Sequence, residues 1–299
     1  MNNKNFLINN ILSHKVFTSY FITGFTDGEG CFCLGLSPTK VQAIFQINLH
    51  AKDRAILEEI KTVLGVGHVS KMGDDSLKYQ ASSAKDLAII IEHFDKYPLI
   101  TQKLADYLLF KQAVELIKRK EHLGVEGFKQ LVAIKASINR GLSDKFKKSF
   151  PDIIPVQRPL VKSQAILDPY WLAGFVNAEG CFSVDIAKSS GHKLGFQVRL
   201  RFRITQHIRD EMLMRSLVKY LDCGIIELDT RGGAVNFCVL KFSDIESKII
   251  PFFKEYPIVG IKSKYFEGFC TVAELMKNKE HLSPEGLEKI RQIKADSHS

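Results

Sequence analysis

The chain has 299 residues, of which 45% are hydrophobic and 25% are charged, and 42 Lys and Arg residues outnumber 33 Asp and Glu residues to give a net charge of +9. This composition excludes a largely disordered chain and is sufficient for one large domain or two ordinary ones. No apolar run approaches the about 20 residues needed to cross a bilayer, so we expect no membrane segment. The basic excess favours a polyanionic partner, although charge alone also fits an ordinary basic protein.

The predicted elements begin with a helix that ends at Glu29-Gly30. Two strands of alternating polarity follow, and a second helix then runs over about 53–64. A second strand pair is divided by the Gly-Asp-Asp turn at 73–75. The last helices of this half are predicted near 84–95 and 101–120. The order αββαββα indicates an α+β fold with mainly antiparallel sheets.

The same series of elements recurs later in the chain. The matching blocks are 20–32 with 170–182 at an offset of 150 residues, 45–50 with 202–207 at 157, and 97–98 with 256–257 and 120–123 with 279–282 at 159. Loop insertions between fixed elements produce such a drift, whereas chance similarity does not preserve the order of blocks. We therefore predict a first half over 1–136, a linker over 137–166 and a second half over 167–299. Three of the nine prolines lie within 150–159, which favours an extended linker.

The six cysteines form no CxxC pair and no Cys/His spacing of a metal site, so we interpret them as reduced thiols. A metal bound by Cys31 and Cys33 is an alternative to two ordinary strand thiols. The first 15 residues contain no arginine and have no secretory pattern, so the sequence predicts neither a signal peptide nor an Arg-rich transit peptide.

Each predicted motif helix has small residues four positions apart on one face, at Gly24 and Gly28 and at Gly174 and Ala178. Small residues at this spacing let two helix backbones approach closely, so we expect the two helices to pack against each other as the seam between the halves. Asp168 is predicted to cap the second helix, with Pro169 at its first position and a glycine stop at each C-terminus.

A glutamate precedes the final glycine of both helices, at Glu29 and Glu179. A negative charge at a helix C-terminus is unfavourable by some tenths of a kcal/mol to about 1 kcal/mol, and two such charges at one seam repel each other. A local rule broken twice in the same way indicates function, and divalent cations with hard oxygen ligands, such as Mg²⁺, would compensate the charges. Two solvated surface glutamates are the alternative. Asp27 has Asn177 as its counterpart, so only the glutamates are repeated as acids.

Residues 23–30 (TGFTDGEG) and 172–180 (LAGFVNAEG) resemble two copies of the motif of the LAGLIDADG homing endonucleases. The resemblance covers nearly the whole chain, and it is strongest to the single-chain members encoded within fungal mitochondrial introns. It implies two pseudo-symmetric αββαββα halves whose antiparallel sheets form a DNA-binding saddle. It also implies a mitochondrial monomer without an obligate protein partner.

The resemblance further implies a set of catalytic residues. Each motif glutamate would bind metal and cleave one DNA strand, with Gly28 and Ala178 also at the metals. Two or three Mg²⁺ ions would lie between the motif helices, and Mn²⁺ or Ca²⁺ would substitute in binding. The remaining implied catalytic residues are Lys103, Lys262 and Gln206. Because Leu49 is the counterpart of Gln206, we expect the two catalytic sites to be chemically unequal.

A second set of candidates lies on the predicted strands. Strand 196–205 alternates between an apolar face and a polar face bearing Gln197, Arg199, Arg201, Arg203 and Thr205. Arginine pairs with guanine in the major groove and Gln or Asn with adenine, although a solvated cationic strand is the alternative. The corresponding strand of the first half offers Gln42, Gln46 and Asn48. Strand parity and the resemblance add Ser37, Lys40, Lys78, Gln80, Ser183, Asp185, Lys188, Arg231 and Asn236.

Three functions fit this sequence. The first is a site-specific homing endonuclease that makes a metal-dependent, staggered double-strand break in a long asymmetric DNA target and promotes intron mobility. The second is an intron RNA maturase on the same fold, with RNA as its partner. The third is a DNA-binding regulator without chemistry. The retained glutamates favour cleavage.

Overall fold

The computed structural model of the protein describes residues 16–37, 40–161, 164–229 and 232–296. The chain divides into two compact units, with the boundary between Ala165 and Ile166. The first unit contains, in order, α1 (Ser19–Glu29), β1 (Gly30–Ser37), β2 (Lys40–His50), α2 (Arg54–Leu64), β3 (His68–Lys71), β4 (Ser76–Ala81), α3 (Ala84–Lys96), α4 (Lys103–Lys118), α5 (Val125–Ser137) and α6 (Asp144–Ser149).

The second unit repeats this order. Its elements are α7 (Pro169–Glu179), β5 (Gly180–Lys188), β6 (Phe196–His207), α8 (Glu211–Tyr220), β7 (Ile225–Leu228), β8 (Ala234–Val239), α9 (242–255), α10 (Ile261–Lys277) and α11 (Pro284–Asp296). The helix α9 has a π-helical segment at Ile245–Ile249, ahead of Pro251, which has no N–H to continue regular α-helical hydrogen bonding. Each unit holds one antiparallel four-stranded sheet, in the orders β1-β2-β4-β3 and β5-β6-β8-β7. The predicted α+β class and its repetition are confirmed.

Three helices in the described part of the chain, α5, α6 and α11, were not predicted. The helix α5 buries only Leu131, Val132 and Ile134 as a compact apolar set, and α11 buries Leu287 and Ile290 beside a glycine. Such sparse apolar sets produce no clear 3.6-residue period over one helix length. The stretch predicted as an extended linker, 150–159, has neither helix nor strand, but α6 occupies part of the linker range.

The motif helices begin with side-chain caps. Asp168 accepts a hydrogen bond from the backbone N–H of Tyr170 at 2.8 Å, with Pro169 in the first turn, as predicted. In the first unit, Thr18 caps α1 through the N–H of Phe21 at 3.2 Å. The residues 21–27 and 171–177 are all buried, so each motif helix lies within the interior along most of its length.

The glycines predicted as helix stops do end the motif helices, but not through a left-handed conformation. Gly30 and Gly180 have φ of −72° and −79°, which any residue adopts. A Cβ on Gly30 would lie 2.4 Å from Thr26 Cγ2, and one on Gly180 would lie 2.5 Å from Val176 Cγ1. Glycine is therefore required by the close approach of the first strand residue to the preceding helical turn.

The core of each unit lies between the sheet and its helices and has the same aromatic cluster. In the first unit, the ring of Phe32 lies 5.2–5.5 Å from four other rings, namely Phe45, Phe94, Tyr107 and Phe110. The second unit places Phe182 among Phe202, Phe253, Phe266 and Phe269. These rings correspond one to one in sequence, so the duplication extends to the packing of the core. No helix in the described residues is long and apolar enough to cross a membrane.

Candidate active site and nucleic-acid interface

The two motif glutamates lie at the C-terminal ends of buried helices. Glu29 is exposed and Glu179 is half-buried. The following glycine N–H donates to Thr26 O in the first unit and to Val176 O in the second. This bond turns the chain directly from the helix into the first strand of the sheet, so the carboxylate is presented at the point where helix and strand meet.

A lysine from a distant helix reaches the same helix end in each unit. Lys103 Nζ donates to Thr26 O at 2.9 Å and to Gly28 O at 2.7 Å. Lys262 Nζ donates to the corresponding oxygens of Val176 and Ala178 at 3.2 and 3.1 Å. The lysine adds a second donor to Thr26 O and Val176 O, which already accept from the following glycine. Gly28 O and Ala178 O lie in the last turn, where carbonyls lack intrahelical partners, and a cation there also interacts favourably with the helix dipole. The structure thus brings each predicted lysine to the last turn of the helix that ends in its motif glutamate.

A buried side chain holds the loop before each lysine. Asp27 is 3% exposed, and its carboxylate accepts hydrogen bonds from Ile100 N at 3.1 Å, Thr101 N at 3.2 Å and Thr101 Oγ1 at 2.5 Å. In the second unit, Asn177 Oδ1 accepts from Val259 N at 2.8 Å. Asp27 and Asn177 are not both acids, so the repeat did not predict a role for this position. Both residues, however, have a short side chain with an acceptor oxygen, and this shared property is the sequence signal that could have predicted it.

Gln206 lies close to the end of β6 that meets the motif helix. Gly180, the residue after Glu179, pairs with Ile204, so the register places Gln206 beyond the start of β5, on the side of the helix end. Gln206 pairs with Val235 and alternates onto the same sheet face as the core residues of β6. In the first unit, Leu49 pairs with Leu77 at the equivalent position. The expected chemical difference between the two halves is therefore present at equivalent positions.

The donor atoms at these helix ends fit a hard divalent cation. Each unit offers one carboxylate and the backbone oxygen of Gly28 or Ala178, and oxygen ligands are those that Mg²⁺ prefers. Among the described residues there is no group of three or more His, Cys, Asp or Glu side chains that could hold a metal. A cation here would need further oxygens from substrate and water, as Mg²⁺ commonly has. The alternative metal ligands Cys31 and Cys33 have Sγ atoms 3.2 Å apart. Their sulfur atoms are soft ligands, which do not suit a hard cation such as Mg²⁺.

The second unit presents its arginines on the sheet face opposite the core. Val198, Leu200, Phe202 and Ile204 are buried, whereas the alternating polar residues of β6 are half-buried or exposed. Arg201 Nη2 lies 3.6 Å from Asp185 Oδ2, and Arg201 Nε is buried without a hydrogen-bond partner. On the neighbouring strand pair, Thr205 Oγ1 donates to Asn236 Oδ1 at 2.6 Å. The outer face therefore combines cations with an ordered amide.

The first unit presents amides on the equivalent face. Gln46 pairs across the sheet with Gln80, and Asn48 pairs with Lys78. Gln42 follows the same parity on β2, and all five side chains are half-buried. Asn48 Oδ1 is buried without a hydrogen-bond partner. Polar atoms of this kind are uncommon in folded proteins and call for an explanation.

The remaining interface candidates lie mainly at the strand ends. Ser37 Oγ accepts from Lys40 N at 2.9 Å and donates to Lys40 O at 3.1 Å, so its hydroxyl closes the β1–β2 turn. Ser183 Oγ donates to Arg201 O at 3.3 Å within the sheet. Lys188 is the last residue of β5 and pairs with Phe196. By strand alternation it lies on the core face of the sheet, whereas Ser183 lies on the outer face. Arg231 lies outside the described residues.

Comparison with known proteins identifies this arrangement. The sequence pattern of the LAGLIDADG endonuclease family matches residues 22–114 and 172–273. The chain is 42% identical over 278 residues to the Neurospora crassa protein named probable intron-encoded endonuclease 3, covering 90% of this chain and 52% of that protein. A second Neurospora crassa relative, probable intron-encoded endonuclease 2, is 40% identical, with 92% and 64% covered. The chain thus spans about half to two thirds of the length of these relatives.

Solved structures give the same result. The I-SmaMI LAGLIDADG homing endonuclease bound to cleaved DNA has a TM-score of 0.91 at 44% identity, with 93% of this chain and 96% of that chain covered. The LAGLIDADG meganuclease I-CpaMI bound to uncleaved DNA has a TM-score of 0.91 at 40% identity, with 95% and 100% covered. Structures of I-SmaMI also include a calcium-containing complex with uncleaved DNA and lysine-to-alanine mutants. The chain belongs to the LAGLIDADG endonuclease family.

Proposed function

We propose that this protein is a monomeric, site-specific homing endonuclease that makes a staggered double-strand break in a long asymmetric DNA target. The observation that carries the proposal is the repeated pairing of a helix-end glutamate with a lysine bound to the same helix end, once in each unit. Two such sites match the two strands of a duplex. The resemblance and the intron-encoded relatives support a mitochondrial role in intron mobility.

The catalytic residues divide into metal-holding and orienting groups. Glu29 and Glu179, with the backbone oxygens of Gly28 and Ala178, would hold Mg²⁺. A divalent cation held there supplies Lewis-acid activation of the scissile phosphate and of the attacking water. Lys103 and Lys262 fix the helix ends through two hydrogen bonds each and place a positive charge where the phosphate would bind. Gln206 would orient water or metal ligands in the second half alone, because Leu49 has no polar group.

Target recognition would differ between the halves because their outer sheet faces differ. Amides suit adenine, and arginines suit guanine. We therefore expect Gln42, Gln46, Asn48 and Gln80 to favour adenine in one half-site. Arg199, Arg201 and Arg203 would favour guanine in the other, with Asp185 as an acceptor for cytosine. Lysines at the edges, together with Ser37, Thr205 and Asn236, would contact either bases or phosphates.

The test is incubation of the purified chain with a library of duplex DNA, in Mg²⁺ and in excess chelator, followed by sequencing of the cut ends. We expect metal-dependent cleavage at one asymmetric sequence by a monomer. Full cleavage in chelator, or a strong preference for a palindrome cut only by a dimer, would overturn the proposal. Binding of intron RNA without any DNA cleavage would instead support the maturase function.

A further inference from the structure

The proline-rich segment after α6 forms a charged contact with the lysine-bearing helix α4. Arg158 Nη1 lies 2.7 Å from Asp106 Oδ1, and Nη2 lies 2.9 Å from Oδ2, so the guanidinium grips both carboxylate oxygens. Asp106 is 4% exposed. A bidentate pair of this kind is among the stronger polar contacts in proteins, and lysine cannot reproduce its geometry.

The same guanidinium also reaches the residue beside the proposed catalytic lysine. Arg158 Nη2 donates to Gln102 O at 3.0 Å, and Nη1 donates to Ser137 O at 3.1 Å. Asn139 N donates to Asp106 Oδ1 at 2.9 Å, and Asn139 Nδ2 donates to Phe32 O of β1 at 2.7 Å. The first turn of α4, where Lys103 lies, is therefore fixed to the strand that follows Glu29.

Among the described residues of the second unit, no ion pair stands at the equivalent position. The counterpart of Asp106, 159 residues later, is Tyr265, which carries no carboxylate. The helix α10 instead begins after Gly260, whose φ is 68°. The contacts of Lys262 with its helix end, at 3.2 and 3.1 Å, are longer than those of Lys103, at 2.9 and 2.7 Å. The two lysines reach similar positions with different support.

We propose that Arg158 is a positioning residue for Lys103, so that the segment joining the two halves also sets the cleavage rate of one of them. The inference rests on the proposed function. The segment that bears Arg158 would then support one catalytic half in addition to joining the two halves covalently. Small displacements of a catalytic group, caused by changes away from the reacting atoms, can cost about 100-fold in rate.

The experiment measures cleavage of each strand separately, on a target duplex labelled on both strands, for R158K, K103A and the double variant. R158K keeps the charge and avoids leaving Asp106 buried and unpaired. We expect it to slow only the strand that K103A slows, by roughly 10- to 100-fold, and to add little to K103A in the double variant. DNA affinity should stay unchanged. The control R140A removes an arginine from the stretch between α5 and α6 and should cleave both strands at the wild-type rate.

Equal slowing of both strands by R158K, or a full additive loss in the double variant, would show a general structural role and overturn the inference. A wild-type rate for R158K on both strands would also overturn it. If K103A alone slows neither strand, the catalytic role of the lysine fails, and that failure is visible before Arg158 is considered. Thermal unfolding of R158K serves as the folding control.

Discussion

The two units solve one positioning problem with different chemistry. In the first, an aspartate accepts three hydrogen bonds from the loop before Lys103, and in the second an asparagine accepts one from the loop before Lys262. The lysines nevertheless contact the same pair of carbonyls in each motif helix. After a duplication, the position of a hydrogen-bond acceptor can be kept while its charge changes.

The outer sheet faces show the opposite behaviour. Their backbone registers match strand for strand. Arg199 and Arg203 nevertheless stand where the first unit has Gln42 and Gln46, and Arg201 stands where it has Ile44. Positions that support the fold or the lysine have kept their chemical role, whereas positions that would face DNA have changed it. This contrast is what a single-chain enzyme for an asymmetric target requires. Paired substitutions in the two units measure how far the units are equivalent.

The largest effect should come from the motif glutamates. We expect E29Q and E179Q each to lower double-strand cleavage by roughly a thousandfold or more, because glutamine keeps the size but lacks the charge that a metal ligand needs. Specific DNA binding should persist, since each side chain lies at a helix end and not on the outer sheet face. A plasmid cleavage assay with parallel equilibrium binding measures both. Wild-type double-strand cleavage by either variant would refute the assignment.

The same two variants also compare the halves directly. Gln206 in the second unit has Leu49 as its only counterpart, so the residual nicking of the two variants should differ in rate or in the strand cut. The matched control is Q206L, which makes the second half resemble the first at this position. Identical nicking by E29Q and E179Q would indicate that the glutamine difference has no chemical consequence.

The loop acceptors should have unequal effects on stability. D27A would leave two buried backbone donors and a hydroxyl without their charged partner, which we expect to cost about 3–5 kcal/mol. N177A removes a neutral hydrogen bond from Val259 N and should cost about 1–2 kcal/mol. Urea unfolding of both variants measures the difference. The control D27N keeps an acceptor oxygen, so its loss of unfolding free energy should lie between those of D27A and N177A. Equal losses for D27A and N177A would contradict the difference between the units.

The sequence predicted the repeated elements because the blocks and alternating strands are local signals. It also predicted Glu29 and Glu179, whose unfavourable place at a helix end is visible without coordinates. Their neighbours Lys103 and Lys262 came from the resemblance, since a lysine at a helix start carries no signal of a contact more than 70 residues away. Asp27 was missed for the same reason: its partners lie 73 and 74 residues later in the chain.

A half-buried histidine in the first unit, His93, gives the two units different responses to acid. Burial lowers the pKa of His93 to about 4, whereas an unfolded histidine titrates near 6.5. The neutral ring therefore stabilises the fold fully above pH 6.5, and this contribution is lost as the pH falls towards 4, by about 3 kcal/mol. Thr23 Oγ1 lies 3.2 Å from His93 Nε2, within hydrogen-bond distance. The counterparts of His93 and Thr23 in the second unit are Phe252 and Ala173, which do not titrate.

H93F should consequently make the free energy of unfolding less dependent on pH between 7 and 4. The phenyl ring adds no titrating group, and Thr23 Oγ1 retains its bond to Tyr97 O at 3.0 Å. The measurement is urea unfolding at several pH values for H93F and the wild type. The difference between the two proteins removes the contribution of the carboxylates that titrate in the same pH range. An unchanged pH dependence in H93F would show that folding does not lower the pKa of His93.

The two outer sheet faces should also differ in how they make DNA affinity depend on salt. Arg201 has an unpartnered Nε and lies 3.6 Å from Asp185, so R201A should cost about 1–3 kcal/mol in DNA affinity and relax selection at one base if it reads guanine. If it neutralises a phosphate instead, the slope of log K against log salt should fall in magnitude by about 0.9, without a change in selectivity. The matched variant Q46A, from the amide face, removes no charge and should leave the slope unchanged. Equal salt slopes for wild type, R201A and Q46A, together with unchanged base selection, would mean that the arginine face does not contact DNA, and the difference between the two units would then need another explanation.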